Sequence, residues 1–228
     1  MADDPIVVHD LGTTAPTRTA EQARDSARAV FGQVMFLVAV TAGFFSVGAY
    51  LGRDLSNGWS WVFLIGGFVL MICLGFARKS TRLGMTVLFS MGLVLGLGFG
   101  PLLAYYASLD GGATLLAQAG GATALFIAGF GAIGYATRRD LSSWARYLFF
   151  ALIALIVFGL VTIFVSIPNG QLIYCVLGLG VFAFLTIFDF NRLKRAHPDD
   201  AIWLACSIFL DALNVFLFMI QILGGSNR

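Results

Sequence analysis

Seven runs of apolar residues constrain this chain before anything else does. They lie at roughly 30–51, 59–77, 83–106, 113–136, 144–166, 171–190 and 201–223. A helix rises about 1.5 Å per residue, so a run of about 20 residues crosses ~30 Å of hydrocarbon. The runs are too long, and too uniformly apolar, to be the alternating strands of a transmembrane barrel. They also leave too little polar surface for water: 11% of the residues are charged and 59% hydrophobic, where a soluble domain carries about 25% charged residues. The 27 glycines suit helices that approach closely inside a bilayer. The sequence therefore predicts an all-α integral membrane protein, a seven-transmembrane-helix bundle over residues 29–228, preceded by a polar tail at 1–28.

The charges between the runs predict orientation. Arg18, Arg24 and Arg28 precede the first run, and Arg78, Lys79 and Arg82 join the second to the third. Arg138, Arg139 and Arg146 flank the fourth-to-fifth turn, and Arg192, Lys194 and Arg195 the sixth-to-seventh. Of the 14 lysines and arginines, only Arg53 and Arg228 fall elsewhere. Positive charge collects on the cytoplasmic face, so the N-terminal tail is expected in the cytoplasm and the C-terminus across the membrane. Tyr50, Trp59, Tyr105, Trp144 and Trp203 sit near run ends, as interfacial aromatics do. The tail has no apolar core of the kind a secretory signal needs. Its first half is expected to be disordered, with 20–28 leading helically into the first run.

Two aspartates break the pattern. Asp189 follows VFAFLTIF near the end of the sixth run, and Asp211 interrupts the seventh within WLACSIFLDALNVFLFMI. A carboxylate at the centre of a membrane helix costs about 2.5–3.5 kcal/mol on insertion scales, so it normally faces a partner or water. With the intervening turn centred near Pro198, the two lie at depths that differ by four residues, about 6 Å of rise. They are expected to approach one another. Two close carboxyls in a poorly solvated place cannot both ionise cheaply, so they share a proton and titrate as a pair. Protonation favours contact and ionisation drives the helices apart, which is the physics of a pH-controlled gate. Thr186 lies one turn before Asp189, and Ser207, Asp211 and Asn214 form a polar stripe along the seventh run. These oxygens are candidates for an ion path and, with Asp189 and Asp211, for a weak transit station for a hard cation. A tight cage is not expected, because Ca²⁺ takes six to eight oxygen ligands. Arg78 either snorkels to the interface or reaches the aspartates as an ionic latch. Each aspartate also has a plainer reading: Asp189 solvated or paired with Arg192, Asp211 a structural hydrogen-bonding group.

Other features are less specific. Gly92, Gly96 and Gly100 repeat every four residues in the third run and form a seam for a neighbouring helix, and Pro101 is expected to kink that run. The fifth run has no ionisable residue between Tyr147 and Val165 and reads as scaffold. SIPNGQ at 166–171 reads as a tight turn. Asp199 and Asp200 read as a solvated turn or helix cap. Cys73, Cys175 and Cys206 stand inside apolar runs without paired spacing and read as packing residues. His9 and His197 are far apart, which gives no metal-site spacing. No nucleophile–base pair or metalloprotease motif points to an enzyme, no cofactor motif is present, and the scattered basic triplets exclude a nucleic-acid footprint.

Several stretches together resemble the Bax inhibitor family, and its bacterial branch in particular. They are VFGQVMFLVAVTAG at 30–43, GLGFGPLLAYYAS at 96–108, QAGGATALFIAGFGAIGYATRRDLS at 118–142, FDFNRLK at 188–194 and SIFLDALNVFLF at 207–218. The resemblance implies a bundle with the seventh helix central and a slow, pH-sensitive Ca²⁺ leak governed by an aspartate pair. That pair falls on Asp189 and Asp211, and an arginine that pairs with them in a bacterial relative falls on Arg78. Two positions depart from the family: Phe188 and Phe190 flank Asp189 where a tyrosine commonly precedes it, and Gly67 stands where some relatives carry an acidic residue. The expected function is thus a pH-sensitive calcium leak channel in the bacterial inner membrane, monomeric, with Ca²⁺ and protons as its ligands. The alternatives are a membrane regulatory protein acting through a protein partner, of the cell-death or protease-modulating type, and a proton-coupled transporter.

Overall fold

A computed structural model describes residues 15–77 and 80–226 of the chain. Among them, seven helices are long and apolar enough to cross a membrane, and there is no strand. They are α1 (Ala15–Leu51), α2 (Asn57–Phe76), α3 (Thr81–Ala107), α4 (Gly112–Ala136), α5 (Ala145–Phe164), α6 (Gly170–Leu193) and α7 (Ala201–Ser226). The lead-in expected at 20–28 is helical and continuous with the first span, which extends α1 back to Ala15. The disorder expected over the first half of the tail falls on residues 1–14, outside the described residues.

The glycine seam of α3 finds its partner in α1. A Cβ on Gly96 would come 2.1 Å from the Phe45 carbonyl oxygen, and one on Gly92 2.7 Å from that of Thr41. From the other side, a Cβ on Gly48 would meet the Leu93 carbonyl oxygen at 2.1 Å. No other side chain lets two backbones come this close, and in a bilayer such dispersion contact is a main source of helix association. Helix α3 runs through Pro101 without a break. The carbonyl that Pro101 cannot bond belongs to Leu97, and Gly52, in the turn just after α1, approaches that same oxygen.

Helix α7 packs against α1, α2, α3, α4 and α6, while α5 packs on α6. In its most apolar stretch 44% of α7 is buried within the bundle, against 11% for α2 and α5. Its inward side meets Val34, Leu88, Met91 and Leu193 through Leu204, Ala205 and Ile208. The outside of the bundle is the reverse of a soluble protein: Phe164, Phe76 and Leu125 are 85%, 81% and 77% exposed. Apolar area on that scale is stable only against lipid. Asn169 (φ 55°) and Gly111 (φ 71°) turn the chain between α5 and α6 and between α3 and α4 in the left-handed region, which asparagine and glycine tolerate best.

Candidate functional site

Helix α6 carries Asp189 one turn before its end, and α7 carries Asp211 near its middle. Both are buried, at 3% and 5% exposure, and they lie within electrostatic reach of one another. The antiparallel α6–α7 hairpin brings this about, since its turn at Pro198–Asp200 leaves the two at similar depth. The Ser207 hydroxyl donates a hydrogen bond to Asp189 Oδ2. Thr186 is fully buried beside Asp211, and its hydroxyl donates to the Phe182 carbonyl at 2.8 Å. Asp211 Oδ2 is the one buried side-chain polar atom among the described residues with no hydrogen-bond partner.

No basic group forms an ion pair with either aspartate among the described residues. Arg192 is the cation that acts on Asp189, but its guanidinium lies over the Phe188 ring, 5.9 Å from the centroid. Removing two carboxylates from water without a countercharge costs several kcal/mol per ion.

The site is smaller than the sequence reading of it. Asn214 turns away: its amide donates to the Leu210 carbonyl at 2.8 Å, and it lines a separate recess of about 290 Å³ with Gly67, Leu95 and Phe99. Arg78 lies outside the described residues. Asp199 and Asp200 line a recess of about 180 Å³ with Gln33, Ser80 and Trp203, away from the aspartate pair. For a cation, the oxygens at hand are those of Asp189, Asp211, Ser207 and Thr186, and no group of three or more His, Cys, Asp or Glu side chains gathers among the described residues. That donor set falls short of the six to eight oxygens Ca²⁺ prefers.

Sequence reasoning missed Asn191, which is 1% exposed. Its amide donates to the carbonyls of Thr137 and Arg139, both at 3.1 Å, and more loosely to that of Gly134 at 3.3 Å. Its Oδ1 accepts from the Leu141 backbone N–H at 3.2 Å and from Arg195. Asn191 thus satisfies carbonyls at the end of α4 and ties the α4–α5 turn to α6, two residues from Asp189. Lys194 adds a bond to the Thr137 carbonyl, and Arg195 pairs with Asp140 at 2.9 Å. The available signal was a second polar residue inside an apolar run, in FDFN. Beside this clamp lies a polar recess of about 260 Å³ lined by Asp140, Ser142, Arg192, Arg195, Asp200 and Leu204. Arg192 and Leu204 stand three residues, about one turn, from Asp189 and Ser207.

Comparison with known proteins places these features in a group. The family model described as "Inhibitor of apoptosis-promoting Bax1" matches residues 27–228. An uncharacterized membrane protein of Vibrio cholerae is 32% identical over 135 residues, which cover 59% of this chain and 60% of that protein. A protein of Chlamydia muridarum is 30% identical over 220 residues, covering 87% of this chain and 90% of its own length. The inner membrane protein YbhL of Escherichia coli K12 is 29% identical over 184 residues, with 72% and 75% covered.

Proposed function

This chain belongs to the Bax inhibitor family, and from that premise we propose that it is a pH-sensitive leak pathway for Ca²⁺ whose gate is the Asp189–Asp211 pair. The observation that carries the reading is the state of Asp211: a buried carboxyl beside a second buried carboxyl, with one oxygen unpartnered and no ion pair to either aspartate among the described residues. A carboxyl kept only for structure would have its lone pairs satisfied.

The mechanism follows from the charge on the pair. With a proton shared between them, the aspartates hold α6 against α7 and the path is closed. When the second proton leaves, like charges repel across a dry gap and the hairpin opens enough for water to enter from the polar recess at Arg192 and Leu204. Ca²⁺ then exchanges part of its water shell for the Asp189, Ser207, Thr186 and Asp211 oxygens and passes on. In this reading α7, which packs against α1, α2, α3, α4 and α6, serves as the axis around which the other helices move. Orientation follows from the basic turns, with the N-terminus in the cytoplasm and the protein in the bacterial inner membrane, like the Escherichia coli relative named for that membrane.

The test is Ca²⁺ entry into liposomes holding the purified protein, from pH 6 to 8, for wild type and Asp211→Asn. The amide removes the titration while keeping the shape. Flux that varies with pH in the wild type and not in the variant supports the gate. No flux above empty liposomes from either folded protein would refute it. The description of the matched family favours a second reading, a membrane regulator that acts through a protein partner. In that case a stoichiometric partner is recovered by pull-down from membranes and is lost when residues 1–25 are removed.

A further inference from the structure

Helices α1 and α4 stand apart in the bundle. Helix α1 packs on α3 and α7, and α4 on α6, α7 and, to a lesser extent, α3, which leaves a cleft of about 890 Å³ between α1 and α4. Its α4 wall is a ladder of small residues, Gly120, Ala124, Ala128 and Ala132, and its floor includes Phe190 and Ala212. A second cavity of about 500 Å³ continues it, sharing Gly120, Thr123 and Ala212 and running along α1 to Ala49. From Arg28 to Ala49 the trough follows α1 for roughly 30 Å, the thickness of the hydrocarbon.

We propose that this cleft is a binding site for an anionic glycerophospholipid, with one acyl chain laid between α1 and α4 and the phosphate at Arg28. Three observations define the occupant. The interior asks for no hydrogen bonds: the Thr123 hydroxyl donates to the Ala119 carbonyl at 2.8 Å and the Ser46 hydroxyl to the Ala42 carbonyl at 2.9 Å. A polar solute or a column of water has nothing to hold there, whereas methylenes do. The cleft is bridged near the Arg28 end by the Phe31 and Tyr135 rings, edge to face with centroids 5.5 Å apart. A helix about 10–12 Å wide would have to break that pair; a single chain passes beneath it. At the mouth Arg28 is exposed and forms no ion pair among the described residues, and Arg138 and Arg139 are exposed just beyond the end of α4. A basic mouth over an apolar trough matches a phosphate over an acyl chain. Ala212 adjoins Asp211 in the chain, so an occupied cleft also screens the aspartate pair from water on that side.

The experiment is native mass spectrometry of the delipidated protein in micelles, titrated with dioleoylphosphatidylglycerol or dioleoylphosphatidylcholine. Wild type should bind one phosphatidylglycerol more tightly than phosphatidylcholine. Ala128→Phe fills the trough and should weaken binding of both lipids roughly tenfold, as loss of about two buried methylenes would. Arg28→Gln should cut the preference for phosphatidylglycerol by about fivefold and leave phosphatidylcholine unchanged. Leu125→Phe, on the exposed side of α4, should change nothing. If Ala128→Phe does not fold, Ala124→Phe repeats that arm, and the exposed Arg28→Gln reads the charge alone. Equal retention in the filled variant, or no preference for the anionic lipid in wild type, overturns the proposal. So does a dimer that Ala128→Phe abolishes, because the occupant is then a second copy's helix.

Discussion

Asp189 and Asp211 are legible one residue at a time because each is expensive where it stands, and a costly residue in an apolar run needs a partner. Their closeness also follows from counting residues to the turn. Ser207 follows from the polar stripe of the seventh run, and Thr186 from its place one turn before Asp189. Asn214 does not join them, because a half-buried amide can satisfy itself on its own helix, and helical spacing cannot tell that choice from an outward reach. For Asn191 the sequence offered only a second polar residue in FDFN and no role: its main partners are backbone carbonyls 52 and 54 residues away, and no side-chain pattern marks them. Two predictions belong to this scale. Ser207→Ala leaves Asp189 Oδ2 without its donor and should destabilise the protein by about 1–3 kcal/mol, with altered pH dependence of Ca²⁺ flux. Thermal unfolding in micelles and the liposome assay read the two effects. Asn191→Ala opens several buried bonds at once and should cost roughly 3 kcal/mol or more, seen as a lower melting temperature and faster proteolysis in the α4–α5 turn.

Among the elements, the α1–α3 pair is the most constrained. Gly96→Val puts branched carbon where the Phe45 carbonyl now sits, and overpacking of this kind costs about 1–3 kcal/mol when the backbone can shift and more when it cannot. Two more close contacts on the same seam resist the shift, so the expected loss is at or above the top of that range, measured by unfolding in micelles against Gly129→Val, a site open to the surroundings. The α4–α5 turn offers a gentler test. Hydrogen bonds from Ser142, then the charge of Arg195, hold the Asp140 carboxyl below its usual range. Its contribution is present above the ordinary carboxylate range and is lost as the pH falls through the lowered value. Because Asp140 is exposed, wild type and Asp140→Asn should differ only slightly in melting temperature at neutral pH. They should converge at pH values below those at which a free aspartate titrates. A difference that persists in strong acid would assign the effect to something other than the carboxylate.

At the scale of the whole molecule, the number of spans and the side on which charge collects are additive properties of the chain, and they were readable in it. The topology prediction is correspondingly direct: cysteines placed at Thr137 and at Leu109 should react with a membrane-impermeant thiol reagent from opposite faces of intact cells, Leu109 from outside. Labelling of both from one side would overturn the orientation. The apolar runs determined that the chain forms membrane helices, because apolar residues leave the backbone no partner in lipid but itself. The sequence also marked Asp189 and Asp211 as exceptional, because burying charge is costly wherever it occurs. Which helix meets which was decided only in three dimensions: the glycine ladder of α3 closes on α1, while the small-residue ladder of α4 stays open. Small residues permit a close approach but do not choose the partner. That choice rests on carbonyls, rings and side-chain shapes brought together from distant parts of the chain.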